Sequence, residues 1–305
     1  ILDNFLYSQN SLSDIDSSEL EVCRGDAKDI DVVVNAIEDV DAVVYLAELV
    51  GDPAVSIAPQ TALKTNYLSV TALAHLCSYL NINRFIYTSS CSVYGASEDP
   101  DLSLDEESIV RPVSLYGKMK LLVEEAIFSL MSQPNRQFSP TILRLGTVFG
   151  YSYRPRFDLV INTMTMNAYQ KGEIDILGGN QWRPHVHVSD VSRAINEVLN
   201  APIEKVKEQI FNVGSTKQNC TIDRLGDYIK EVFPNVKINR LKSNTDLRNY
   251  RVNCDKIKKA IDFEVKTTIK DGIVELKTAI ESGQYKDIND KKYSNYLSVQ
   301  ELEMN

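Results

Sequence analysis

Short apolar runs alternate along this chain with longer stretches in which apolar positions recur every three or four residues. Residues 20–24, 42–46, 84–88 and 141–145 read as strands bounded by Gly, Asp, Ser or Asn. Between them the helical period marks 31–37, 61–80 and 115–132. The run Val43-Val44-Tyr45-Leu46 is apolar on both faces. A strand covered by helices on either side needs that, so the pattern predicts a parallel α/β sheet.

After Gly150 the alternation loosens. The pattern predicts a helix over 157–170, a strand at 174–177 ending in Gly178-Gly179, and a strand at 185–188. A helix follows with Ser189 as its N-cap. A strand at 210–213 precedes a helix that Thr221 opens and that runs to about 233, with Asp223 in its first turn. The polar residues 282–305 are expected to form a mobile tail. This gives a first domain over 1–150, to which 185–213 returns, and a smaller α/β domain from 151–184 and 214–281.

The length of 305 residues fits about two domains at roughly 150 each. The net charge of −9 argues against a non-specific nucleic-acid binder, which carries a basic excess. Apolar runs such as 40–49 contain charges and are too short to span a bilayer. Nothing near Ile1 reads as a signal peptide. The five cysteines are odd in number, scattered and without a CxxC, which implies a reducing cytoplasm and no structural metal. His185 and His187 form a His-x-His pair on one strand face, but no third ligand lies nearby in sequence.

The candidate chemistry begins at Tyr116-Gly117-Lys118-Met119-Lys120. On a helix, positions i and i+4 share a face. An ammonium at Lys120 favours phenolate at Tyr116 and so suits it to accept a proton. Upstream, Arg84-Phe85-Ile86-Tyr87-Thr88-Ser89-Ser90-Cys91-Ser92-Val93-Tyr94-Gly95 is a strand running into a hydroxyl-rich turn. At the carboxyl end of a parallel strand, such hydroxyls face the ligand crevice.

Together these segments resemble the extended short-chain dehydrogenase/reductase family of NAD-dependent nucleotide-sugar epimerases and dehydratases, over almost the whole chain. The resemblance implies a Rossmann-type doubly wound parallel sheet with a smaller α/β substrate domain. It implies Tyr116, Lys120 and Ser90 as catalytic residues. Asp3 and Asn4 resemble the end of the family's second strand, where the Asp meets the adenosine ribose and favours NAD over NADP. Asp26, in Gly25-Asp26, would contact adenine. Ala47 would lie over the cofactor, and Asn66 matches a family Asn in the next helix. One family feature is absent: no Gly-x-x-Gly-x-x-Gly turn holds a pyrophosphate. With the Ile1 start, this leads to the expectation of roughly 25–40 further residues upstream, enough for a strand, turn and helix.

On the substrate side, the resemblance implies a nucleotide-diphosphate sugar as ligand. Trp182-Arg183-Pro184-His185-Val186-His187-Val188-Ser189-Asp190-Val191 resembles the family segment whose Arg pairs with the diphosphate, here Arg183. Thr147 lies in the strand leading to the sugar site, Arg154, Arg156 and Asp158 sit where relatives contact the sugar, and Arg248 and Arg251 fall where a second diphosphate Arg often lies. Dehydratases carry Thr-Asp-Glu where this chain has Ser90-Cys91-Ser92, so the acid and base for losing water are missing. A 4-epimerase is the expected reaction. The runners-up are a 4-oxidase or ketoreductase, as among GDP-heptose-modifying enzymes, and a non-catalytic nucleotide-sugar-binding relative. Apolar residues surround much of helices 61–80 and 115–132, more than one sheet buries, which predicts a homodimer.

Overall fold

The computed structural model describes all residues except 8–10, 13, 17, 98, 100, 133–136, 243–247 and 305. Asp246 and Leu247, which precede Arg248, lie outside the described residues. Strands β1 (Leu2–Asp3) and β2 (Cys23–Arg24) pair in parallel, and α1 (Ile30–Ala36) leads into β3 (Ala42–Tyr45). Helix α2 (Asp52–Ile57) precedes α3 (Pro59–Ala62), which continues through a π-turn at Leu63–Leu68 into α4 (Ser69–Tyr79). Then come β4 (Arg84–Ser90), β5 (Ser103–Leu104), α5 (Leu115–Ser129), β6 (Ser139–Leu145) and β7 (Thr147–Phe149).

The second half opens with α6 (Val160–Lys171), β8 (Glu173–Leu177), β9 (Trp182–Arg183) and β10 (His185–His187). Helices α7 (Val188–Asn200) and α8 (Ile203–Val206) lead to β11 (Gln209–Val213) and β12 (Cys220–Thr221). Helix α9 (Ile222–Val232), β13 (Lys237–Leu241), β14 (Arg251–Val252), α10 (Asp255–Ile261), α11 (Ile269–Glu281) and α12 (Asn295–Met304) follow.

The central sheet is parallel, in the order β11-β6-β4-β3. Side chains alternate across a strand, so Phe85 and Tyr87 of β4 enter one core while Ile86 enters the other. The first core lies under α1, α4 and α5, with Val33, Val70, Leu73, Val123 and Ile127. The second lies under α7 and α10, with Val191, Val198, Phe211, Ile257 and Phe263. A strand buried on both faces needs the uninterrupted apolar runs seen in the sequence. The β1–β2 pair is separate from this sheet, whose edge on that side is β3.

A third core joins the β8–β13 pair to α6, α9 and α11 through Ile161, Ile174, Ile176, Leu225, Ile229 and Ile273. Helix α10 lies within 214–281, expected as part of the smaller domain, but Ile257 packs into the central sheet's second core. The expectation of a mobile tail is corrected more sharply. Tyr285 and Tyr293 are buried against Phe157, and Val299 of α12 packs with Val55, Ala58 and Met119. The polar residues of this segment hid a few large apolar ones spaced to reach two separate surfaces. The N-cap of helix α7 lies two residues earlier than expected, at His187, whose side chain accepts from Ser189 N–H.

Candidate active site

In a parallel sheet the strand carboxyl ends share one edge, and a crevice forms there. Leu46 after β3, Ser90 at the end of β4, Leu145 at the end of β6, and Gly146 and Thr147 after it line one pocket of about 750 Å³ at this edge. Tyr116, Lys120, Arg154, Arg156, Asp158, Arg183 and Arg248 line it as well. That volume falls in the range of small-molecule and cofactor sites.

Helix α5 delivers Tyr116 and Lys120. Ser114 caps it, its hydroxyl accepting from Gly117 N–H at 3.1 Å. Gly117 is required by close approach: a β-carbon there would lie 2.8 Å from the Ser92 carbonyl oxygen. The helix start is thereby pressed against the turn that follows β4. Ser90 closes that turn, accepting from Ser92 N–H at 3.2 Å and Ser92 Oγ at 2.7 Å. Burial pushes the Tyr116 phenol well above its ordinary pKa, and the Glu48 charge adds to this. Arg156 and a hydrogen bond with Ser90 act in the opposite direction. The simple expectation that Lys120 draws this phenol down is not met in this arrangement. The Lys120 ammonium is paired with Glu48 and donates to the Thr88 carbonyl at 2.5 Å.

Beyond Tyr116 lies a rim of arginines. Arg156 grips Asp158 with two hydrogen bonds, at 3.0 and 3.1 Å. Arg154 donates to the Lys292 carbonyl and to Asn295 Oδ1, and its guanidinium stacks 3.6 Å from the Tyr7 ring centre. Asn295 also gives its backbone N–H to Asp158 and its amide to the Val50 carbonyl, 2.9 Å each. The C-terminal segment thus ties the arginine loop to the loop after β3. Arg183 is buried and donates to the carbonyls of Trp182 and Arg248. Arg248 pairs with Asp52 at 2.6 Å.

Several expected residues lie elsewhere. Arg251 pairs with Asp101 and stacks on Trp182, outside the pocket lining. Asn66 is buried, with its amide on the Leu49 backbone in both directions, so it fixes the loop after β3 and does not reach the pocket. Ala47 is exposed beside the pocket and is not part of its lining. Asp3, Asn4 and Asp26 gather at the carboxyl ends of β1 and β2, where Asn4 Nδ2 donates to Asp26 Oδ2 at 3.2 Å. Glu48, Tyr7 and Asn295 line the pocket but were not singled out from the sequence. Glu48 had a signal, a charge directly after an apolar strand. Asn295 had none, being reached from a segment read as tail.

The two strand histidines are both structural. His187 sits between Ser189 Oγ and Glu275 Oε2, 2.7 Å each. His185 is fully buried against Phe149, and burial lowers its pKa to about 3. Among the described residues no group of three or more His, Cys, Asp or Glu side chains is placed to hold a metal. No helix among them is long and apolar enough to cross a membrane.

A parallel Rossmann-like sheet with a polar crevice at its carboxyl edge defines a class of nucleotide-binding enzymes. Residues 1–214 match the NAD dependent epimerase/dehydratase family, and the chain belongs to that family. It is 27% identical over 239 residues to Protein CapI of Staphylococcus aureus, covering 70% of this chain and 68% of that protein. It is 25% identical over 283 residues to dTDP-glucose 4,6-dehydratase of Streptomyces niveus, covering 90% of this chain and 81% of that one. The fold matches UDP-glucuronic acid 4-epimerase of Bacillus cereus, solved with UDP-glucuronic acid and NAD. The TM-score is 0.78 at 22% identity, over 92% of this chain and 90% of that chain.

Proposed function

We propose that this chain performs NAD-dependent oxidoreduction at a sugar carbon of a nucleotide-diphosphate sugar, as a 4-epimerase. The observation that carries the reading is the meeting of Ser90, Tyr116 and Lys120 with Arg156, Arg183 and Arg248 around one pocket. NAD, when bound, would supply reversible hydride transfer at the sugar carbon. Asp3, Asn4 and Asp26, at the carboxyl ends of β1 and β2, form a carboxylate-rich set that would hold the cofactor's ribose hydroxyls. Tyr116 in its phenolate form takes the proton from the sugar hydroxyl, and Ser90 hydrogen-bonds the same oxygen. Arg183 and Arg248 face the diphosphate, for which guanidinium forks are suited.

Loss of water needs an acid and a base beside the sugar. Cys91, where dehydratases place the acid, is buried with its thiol on the Arg144 carbonyl, and burial raises its pKa. That favours epimerisation over 4,6-dehydration. The test is a screen of UDP-, dTDP- and GDP-sugars with NAD, read by NMR. Interconversion of a 4-epimer pair is the expected result. Accumulation of a 4-keto-6-deoxy sugar would overturn the epimerase reading, and NADH formed in step with a keto sugar would point to the oxidase.

The homodimer belongs to the same proposal. Leu63, Leu68, Tyr79 and Leu80 of the α3–α4 stretch and Leu115 and Leu122 of α5 are exposed apolar residues on neighbouring helices. Such a surface suits an isologous pairing of two copies.

A further inference from the structure

Glu48 lines the pocket with a side chain only 2% exposed, against 19% for Asp158 and 20% for Asp52. Its direction is fixed locally. The Asn66 amide clamps both backbone groups of Leu49, the next residue, at 2.8 and 2.9 Å. The carboxylate is thereby held toward α5, where Oε2 pairs with the Lys120 ammonium and Oε1 accepts from the Tyr87 hydroxyl at 2.8 Å. Lys120 Nζ lies 4.7 Å from the Tyr87 ring centre and 5.6 Å from that of Tyr116.

An ammonium alone beside a phenol favours phenolate. An ammonium closed by a carboxylate has no net charge, and its field at the phenol largely cancels. Other charged or titratable groups face this spot. They are Tyr45 from β3, Asp52 from α2, Tyr87 from β4, Glu124 from α5, and Arg156, with its partner Asp158, from the loop before α6. Asp52 is paired with Arg248, Glu124 with Arg144, and Arg156 with Asp158. Breaking the Glu48–Lys120 pair therefore changes the net charge next to Tyr116 while leaving those pairs in place.

We propose that Glu48 is a positioning residue that neutralises Lys120 and so keeps the Tyr116 phenol protonated in the ligand-free chain. The consequence for catalysis rests on reading Tyr116 as the proton-transferring group; the electrostatic relationship itself does not. The test needs neither cofactor nor sugar, so its failure is distinct from failure of the functional reading.

Tyrosine isotope-labelled at Cζ is followed by NMR across pH, with the Tyr116 signal assigned by its loss in Tyr116→Phe. In the unsubstituted chain Tyr116 is expected to stay protonated up to alkaline unfolding. In Glu48→Gln it should ionise at a pH lower by on the order of one to three units. Adding Lys120→Met to Glu48→Gln should abolish that fall. If Glu48→Gln does not fold, Glu48→Met removes the same charge and serves in its place. An unchanged Tyr116 ionisation in the folded variant overturns the proposal. A fall that persists after Lys120→Met overturns it too, because the effect would not then pass through the ammonium.

Discussion

Glu124 and Arg144 meet side by side beneath the carboxyl end of β4. Arg144 Nη2 lies 2.7 Å from Glu124 Oε2 and Nε lies 3.1 Å from Oε1, with both side chains at most 4% exposed. Ser89 donates to the same carboxylate, and Arg144 Nη1 donates to the Tyr94 hydroxyl at 3.1 Å. This network supports the turn that carries Ser90. Removing one partner of a buried pair strands the other charge, at a cost of about 3–5 kcal/mol. Glu124→Leu is expected to lose that much in a denaturant titration. Glu124→Leu with Arg144→Met should recover most of it, since the stranded guanidinium is then gone.

Tyr116→Phe keeps the ring in its buried site and removes only the hydroxyl. Turnover should fall by on the order of 10²–10⁴-fold, the usual contribution of a positioned acid or base. Binding of the nucleotide sugar, measured by calorimetry, should stay within a few-fold because the arginine rim is untouched. Near-normal turnover would assign the proton transfer to another group.

The acid limb of stability should report His185. Its folded pKa is depressed to about 3 by burial, while in the unfolded chain it returns to about 6.5. Between these values the unfolded state binds a proton that the folded state refuses, so stability falls as pH falls. Each pH unit below about 6 should cost roughly 1.4 kcal/mol from this residue. The dependence should disappear over that window in His185→Leu, followed by thermal melts from neutral to mildly acid pH. An unchanged slope would mean that the ring gains a partner on protonation.

Assembly is tested by Leu122→Glu. Leu122 is 50% exposed on α5, whereas Ile127, on the same helix, is fully buried in the core under the sheet. If α5 pairs across a two-fold axis, Leu122→Glu should shift the protein to monomer in light scattering with its melting temperature little changed. Ile127→Glu should instead unfold the chain. A monomeric unsubstituted protein at micromolar concentration would remove the dimer.

The sequence by itself determined the sheet and the heart of the pocket. Apolar runs at 42–46, 84–88 and 141–145 became β3, β4 and β6, because a strand buried on both faces leaves an unbroken apolar signature. Tyr116, Lys120 and Ser90 were legible through the family resemblance of their segments, with Tyr116 and Lys120 one helical turn apart. Tertiary structure alone decided their neighbours. Lys120 meets Glu48, which is 72 positions earlier in the chain, and Asn295 reaches Val50, 245 positions away. Asn66 turns to the Leu49 backbone and Arg251 to Asp101, away from the pocket. Periodicity records which face of an element is buried, not which distant side chain waits there. Burial of the ring, with the Glu48 charge adding to it, raises the pKa of the Tyr116 phenol, which a local Tyr–Lys pair suggests is lowered.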